Sequence, residues 1–429
     1  MRDGGRLAAA IEVLSEMDTR HRPVQAALKE WGSSHRFAGS GDRTVIGNLV
    51  FDALRNRLSL AARMKSNAPR ALVLATYTFT WEKGFEALQA ALSDPHAPET
   101  LSEEEQKILS GNEMPDLRTF EEADVPEWLW PKILGSFGDS AVAEGKALAA
   151  RAPVDLRSNT LKFDREKLLK KLSHTGAIAA TLSPVGMRIE AKPGIGRMPH
   201  VQAEEGYRKG WFELQDEASQ LAALLAQAKP GQQVLDYCAG GGGKTLALAA
   251  SMENKGQLYA YDADRLRLAP IHERLQRGGV RNIQVRDPAS SNLDDLEDMM
   301  DLVFIDAPCT GTGVWRRRPD SKWRLTEASL NNRIEDQQHV IDNAIKYVRI
   351  CGRLVYVTCS LLPEENQGQA DWFLQKYRNF KSVSALENWC DMMPDAPQPK
   401  YASEQGNIML TPASTGTDGF FIAIFERTE

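Results

Sequence analysis

Apolar positions recur at three- and four-residue spacing through the first third of the chain: Leu7, Ile11 and Leu14, then Ile46, Leu49, Val50, Ala53 and Leu54. That period predicts amphipathic helices over residues 1–145, with Asp42 of Gly39-Ser40-Gly41-Asp42 as an N-cap. The pattern changes over 146–225. Short runs at Asp155–Leu161 and Met187–Ala191 predict strands, with a Lys/Arg-rich helix over Asp164–Leu172 between them. From 226 to 429, β-rich runs (Gln233–Cys238, Gln257–Tyr261, Asn282–Val285, Leu302–Ile305, Arg353–Thr358) alternate with helical stretches such as Thr245–Met252 and Asn332–Val348. A final strand covers Gly419–Glu426. Such alternation predicts a mostly parallel, doubly wound sheet. The expected fold class is therefore α/β, in three domains: 1–145 all-helical, 146–225 a small α/β module, and 226–429 the doubly wound domain.

Composition narrows the class. Hydrophobic residues make up 42% and charged residues 26% of 429 residues, which excludes a disordered chain, a collagen-like repeat and a disulfide-stapled miniprotein. Five cysteines without a CxxC pair argue against a zinc site and a disulfide framework, so no metal is expected. The N-terminal stretch reads as a helix rather than a signal peptide, and no apolar run reaches the ~20 residues of a membrane helix. A reducing, cytoplasmic setting, no membrane partner and a monomer by default are the expectations. The net charge of −6 argues against a uniformly basic nucleic-acid binder. Its distribution tempers that. Glu103–Glu105 and Glu121–Glu122 are acidic clusters, whereas residues 151–210 hold twelve Lys/Arg against six Asp/Glu. A local basic surface is the footprint of a phosphate partner.

The chemistry gathers at predicted strand ends. Val234-Leu-Asp-Tyr-Cys-Ala-Gly-Gly-Gly-Gly-Lys-Thr245 is a strand, an acid, a glycine run and a helix start. Glycines let backbone N–H groups approach a ligand and allow positive φ. The run fits neither a Walker A loop nor a full GxGxxG fingerprint. Asp262, Asp287 and Asp306 end the next strands, and with Asp236 they line the crevice where such sheets bind nucleoside cofactors. The fold alone leaves NAD and S-adenosylmethionine both open. Cys309 and Cys359 sit in loops rich in Pro, Gly, Thr and Ser, whereas Cys351 and Cys390 read as ordinary buried thiols. Arg316-Arg317-Arg318-Pro-Asp-Ser-Lys322-Trp323-Arg324 interleaves cations with Trp323 and follows Trp315, a pattern suited to phosphates and stacked bases.

The motifs CAGGGGKT, DAPCTGTG, TCSLLPEEN and DGFFIAIFER together resemble the RNA cytosine-C5 methyltransferases of the RsmB/Sun family, bacterial RsmB-like branch, over essentially the whole chain. DLRSNTLK and GWFELQDEAS resemble that family's RNA-contact module, and GSGDRTVIGNLVFDALR its NusB-like N-terminal domain. The resemblance implies a Rossmann-like class I methyltransferase domain, a NusB-like helical RNA-binding domain and an RRM-like module between them. It implies S-adenosylmethionine as cofactor, bound by Cys238, Ala239, Gly240, Gly241, Gly242, Gly243, Lys244, Asp262, Asp287 and Asp306. Two departures stand out: Gly241 replaces a proline that many members carry, and Asp287 lies in RDPAS, outside the usual acid–Ala pattern.

Cytosine C5 is a poor nucleophile until a thiolate adds to C6. By the resemblance Cys359 is that nucleophile, Cys309 assists release, Asp306 meets the N3/N4 edge of the base, and Lys244 contacts both the loop and the base. Arg157, Arg316, Arg317, Arg318, Lys322 and Arg324 are the implied RNA contacts. DNA cytosine-C5 enzymes carry their nucleophile in the PC motif and lack the TCS cysteine, so the presence of both points to RNA. 16S rRNA is the expected substrate. The same chemistry on tRNA and a non-catalytic RNA-binding assembly factor are the rivals, the latter opposed by retention of Cys359, Cys309, Asp306 and Lys244. A small-molecule methyltransferase would leave the two N-terminal modules unexplained.

Overall fold

The computed structural model describes all residues except 112, 114 and 290–292. The chain divides into two compact units. The first comprises Met1–Ala152 together with Ala191–Met198 and Trp315–Leu325. It is helical, and its core draws Leu7, Leu14, Trp31, Ile46, Leu49, Leu72 and Leu88 from successive helices, as the spacing of apolar positions requires. The helix Ser40–Arg55 begins two residues before Asp42 and takes Gly39 as its N-cap. Asp42 is therefore not a cap; it lies in the first turn and accepts a hydrogen bond from Arg6 Nη2 at 2.8 Å.

The segment Trp315–Leu325 is built into this helical unit. Trp323 Nε1 donates to the Leu54 carbonyl at 2.7 Å, and Lys322 Nζ donates to the carbonyls of Arg55 (3.2 Å) and Asp124 (2.6 Å). The last carbonyls of a helix have no partner within it, and a cation there also meets the negative end of the helix dipole. Lys322 and Trp323 thus close the C-terminus of Ser40–Arg55.

The second unit comprises Pro153–Glu190, Pro199–Val314 and Thr326–Glu429. Its smaller sheet contains β1 (Val154–Ser158), β2 (Ile178–Ala179), β3 (Gly186–Ile189) and β4 (Phe212–Leu214), all neighbours antiparallel, in the order β2-β3-β1-β4. The helix Arg165–Lys171 lies between β1 and β2, starting with the Asp164 carboxylate accepting from the Lys167 amide.

The larger sheet contains β5 (Gln233–Asp236), β6 (Gln257–Tyr261), β7 (Ile283–Arg286), β8 (Met300–Asp306), β9 (Val348–Thr358), β10 (Phe380–Val383), β11 (Tyr401–Ala402), β12 (Ile408–Leu410) and β13 (Phe420–Arg427). Its order is β11-β12-β13-β9-β8-β5-β6-β7, with β10 pairing β13. β7, β6, β5, β8 and β9 run parallel, and β13 runs antiparallel to β9. Alternate residues of each strand face opposite cores. Val234, Leu302, Phe304, Val355 and Ile422 enter one, and Leu235, Val303, Ile305, Leu354 and Phe421 the other. A parallel sheet covered on both sides needs apolar residues at both parities, hence the unbroken hydrophobic runs in the sequence. From β5 the chain winds outward to β6 and β7, then returns to β8 on the opposite side of β5. That reversal opens a crevice at the carboxyl ends of β5 and β8.

Among the described residues no helix is long and apolar enough to cross a membrane, and no group of three or more His, Cys, Asp or Glu is placed to hold a metal ion.

Candidate active site

The glycine run sits at the mouth of this crevice, between β5 and the helix Gly243–Ser251. Gly240 and Gly242 take positive φ (+48° and +83°), and a Cβ at Gly242 would stand 2.6 Å from Ile271 Cγ1. Backbone conformation favours glycine at both positions, and at Gly242 the close approach of Ile271 requires it as well. Asp262, just past β6, accepts from the Gly240 amide at 2.9 Å and the Asp264 amide at 2.9 Å. Asp236 ends β5 fully buried. Its Oδ2 accepts from Thr245 Oγ1 at 2.7 Å, while Oδ1 has no partner. Burial pushes its pKa up to about 7, against the lowering effect of Thr245.

Two further loops meet at the ends of β8 and β9. Register pairs Asp306 with Val357, and the Ala307 amide extends the ladder to the Val357 carbonyl at 2.8 Å. Cys309 and Cys359 follow directly, and their sulfurs lie 3.3 Å apart. The bond to Cys359, then burial, pushes the Cys309 thiol well above its ordinary range. Lys244 Nζ donates to Asp306 Oδ2 at 2.7 Å and stands 5.0 Å from the centre of the Phe420 ring. Burial lowers the Lys244 pKa, but Asp306 outweighs it, with smaller contributions from Cys359 and Asp236, and the net direction is up. Lys244 is held as an ammonium.

Glu365 ties the two loops together. This buried carboxylate accepts from the Thr310 amide (2.8 Å) and hydroxyl, from Ser360 Oγ, and from Gln337 Nε2 (3.0 Å). Gln337 also donates to the Pro308 carbonyl at 2.9 Å, and the Gly313 amide to the Cys359 carbonyl at 2.9 Å. Sequence reasoning passed over Glu365, because nothing in the run Pro363-Glu364-Glu365-Asn366 separates it from its neighbour.

Residues 222–426 match the family described as 16S rRNA methyltransferase RsmB/F, and residues 125–195 match the ferredoxin-like domain of RsmF/B-type methyltransferases. The ribosomal RNA small subunit methyltransferase B of Sodalis glossinidius (strain morsitans) is 31% identical over 319 residues, 74% of this chain and 68% of that protein. The chain belongs to the RsmB/F methyltransferase family. A crystal structure of PH0851 shares the fold, with TM-score 0.74 over 100% of this chain and 99% of that one at 24% identity. A methyltransferase homolog protein from Pyrococcus horikoshii aligns at TM-score 0.58 and 25% identity over 72% of this chain and 97% of that one.

RsmB/F methyltransferases depend on S-adenosylmethionine, and the crevice residues fit that group. Its ribose hydroxyls need a carboxylate acceptor, and Asp262 stands at the strand end that supplies one. Its sulfonium is cationic, and Asp262 and Asp306 put carboxylates beside the glycine loop and its Lys244. Asp236 Oδ1, buried and unpartnered, is an acceptor left over. Cys238 and Ala239 lead into the loop, and the Cys238 thiol is pushed up by burial, then by the neighbouring acids. Asp287 stands just past β7, turned to Arg265 Nη2 at 3.4 Å and accepting from the Ala289 amide at 2.9 Å.

The expected RNA contacts divide. Arg157 is buried and donates from Nε to Gln215 Oε1 at 2.6 Å; burial draws its pKa down to about 10. Arg316 is buried, its carbonyl accepting from Arg55 Nη2 at 2.8 Å. Lys322 is 1% exposed and its pKa falls to about 8 through burial. These three side chains are enclosed by protein, so the expectation that they meet phosphate is corrected. Trp315 is also buried, and Trp323 packs on the helical core, so neither offers an open face for a base. Arg318 and Arg324 are exposed and Arg317 is half-buried, with Arg324 Nη2 paired to Asp320 Oδ2 at 2.9 Å. Cys351 is exposed rather than buried, at a positive-φ turn within β9.

Proposed function

We propose that this RsmB/F methyltransferase transfers a methyl group to C5 of a cytosine in 16S rRNA through a covalent bond between Cys359 and C6 of the base. The observation that carries this reading is the pair of sulfurs 3.3 Å apart beside the Lys244–Asp306 ion pair. A small-molecule methyltransferase has no evident use for two apposed thiols beside that ion pair.

The target base leaves its stack to enter the crevice. Asp306, steadied by Lys244, accepts from the amino group at the N3/N4 edge of the base, and the Lys244 ammonium offsets the negative charge that develops on the ring as C6 is attacked. The Cys359 thiolate adds to C6, and the electron pair of the C5–C6 bond moves to C5. S-adenosylmethionine, when bound, would supply an electrophilic methyl group: as C5 takes it up the methyl–sulfur bond breaks, its electron pair returns to sulfur, and S-adenosylhomocysteine is the leaving group. Cys309 then assists release: the C5 proton passes to solvent water, the C5–C6 double bond re-forms, and the Sγ–C6 electron pair returns to Cys359. Cys309, kept in its neutral form by its neighbour and by burial, is suited to follow rather than lead.

Incubation with radiolabelled cofactor and either 16S rRNA or bulk tRNA, followed by nuclease digestion, tests the reading. Labelled 5-methylcytidine from rRNA is expected. Label only in tRNA would transfer the same chemistry to that substrate. Label at another atom of the base would overturn the covalent mechanism, and label in neither RNA would favour an assembly factor.

A further inference from the structure

Four consecutive glycines, Gly240–Gly243, form the cofactor loop, and none carries a side chain to restrain it. Ordering glycine costs more backbone entropy than ordering any other residue. Part of the restraint comes from outside the loop. Arg274, on the helix Ile271–Gly278, donates from Nη1 to the Gly241 carbonyl at 2.7 Å. A Cβ built at Gly241 or Gly243 would lie 3.4 or 3.6 Å from its guanidinium nitrogens, so the group lies against the loop. Its other edge is fixed: Nε and Nη2 donate to Glu213 Oε2 at 3.2 and 2.9 Å. Glu213 lies on β4 of the small sheet, is buried, and also accepts from Arg277 Nη2 at 2.6 Å. A planar guanidinium held on one edge by a carboxylate presents its remaining N–H group in a fixed direction, which a lysine cannot do.

We infer that Arg274, anchored by Glu213, is a positioning residue for the cofactor loop, so that the small antiparallel module sets the affinity for S-adenosylmethionine. The inference rests on the cofactor assignment and is independent of which base is methylated. Neither residue was singled out by the sequence, because the two lie 61 positions apart.

Calorimetric titration of the full chain with S-adenosylhomocysteine tests it, using the unsubstituted protein, Arg274→Met, Arg274→Lys, Glu213→Gln and the Arg274→Met/Glu213→Gln double variant. Loss of the charged donor is expected to weaken binding about tenfold in Arg274→Met. Arg274→Lys should restore little, Glu213→Gln should weaken binding by less, and the double variant should match Arg274→Met. In methyl transfer the cofactor KM should rise with kcat within about twofold. A purely structural role would lower Tm and leave the affinity of the folded protein unchanged. Affinities within twofold across all folded variants, or a double variant whose loss multiplies the single losses, would overturn the inference. Glu213→Gln, nearly isosteric, carries the test if an Arg274 variant fails to fold. Absence of binding by the unsubstituted chain would instead remove the cofactor assignment beneath it.

Discussion

The sulfur of Cys309 lies 3.3 Å from that of Cys359, although 50 residues separate them. Adjacent parallel strands β8 and β9 end at the same height, and each cysteine follows its strand by a few residues. Cys309 is pushed toward the neutral thiol first by its bond with Cys359 and then by burial. Thiolates, not thiols, are alkylated. Iodoacetamide at neutral pH should therefore modify Cys359 before Cys309, as read by peptide mass spectrometry over time. Faster modification of Cys309 would reverse the proposed roles.

Asp236 gives the fold a pH dependence of known sign. Its carboxyl titrates near 7 in the folded chain, through burial, and near ~4 when unfolded. Between those values the folded state holds the proton that the unfolded state has lost. Stability contributed by this group is present below about pH 4 and is lost as pH rises to about 7. Asp236→Asn lacks that loss and keeps an acceptor for Thr245. Its Tm relative to the unsubstituted protein should rise from pH 4 to pH 7, by an amount equivalent to a few kcal/mol at most. Thermal melts across that range check it, and a constant difference would contradict it.

Glu365 holds the Thr310 and Ser360 loops, and with them the two cysteines. Glu365→Ala should lower single-turnover methyl transfer on the order of a hundredfold, the size of effect that a misplacement of about 1 Å can produce. Glu365→Gln retains one acceptor oxygen and two donors and should lose much less. Equal losses would show that the negative charge, not the tether, is what matters.

The basic loop should separate into structural and surface cations. Lys322→Met leaves the Arg55 and Asp124 carbonyls without their donor and should destabilise the helical unit by about 1–3 kcal/mol. Its RNA affinity, once folded, should keep the same salt dependence. Arg318→Ala/Arg324→Ala should leave Tm nearly unchanged and reduce the slope of log affinity against log salt by about 2. Filter binding across salt concentrations separates the cases; the opposite assignment would restore Lys322 to the RNA face.

Much of the fold is legible in the sequence wherever a local pattern carries it. The parallel strands β5, β6, β8 and β9 appear as hydrophobic runs because both faces of the sheet are covered. The two-residue strands β2 and β11 carry no pattern of their own in the sequence, since they owe their form to their partners. The helix Glu327–Ala344 begins five residues before the predicted Asn332, at a Thr326 cap that takes Ser329 at N3 rather than the Glu or Gln of the usual pattern. At the site, motifs name Cys309, Cys359, Lys244 and Asp306. Glu365, Arg274 and Glu213 escape because their partners are set by tertiary packing. Arg316 and Lys322 read as RNA contacts because charge runs normally face solvent, whereas here helix-end carbonyls draw Lys322 inward.

The most direct test of the covalent mechanism traps its intermediate. Cys309→Ala protein incubated with rRNA and S-adenosylmethionine should give a protein–RNA adduct that survives a denaturing gel, because methylation proceeds and release is slowed. The adduct should vanish in Cys309→Ala/Cys359→Ala. Persistence of the adduct in that double variant would contradict attack by Cys359, and its absence from Cys309→Ala protein that still methylates rRNA would contradict release through Cys309.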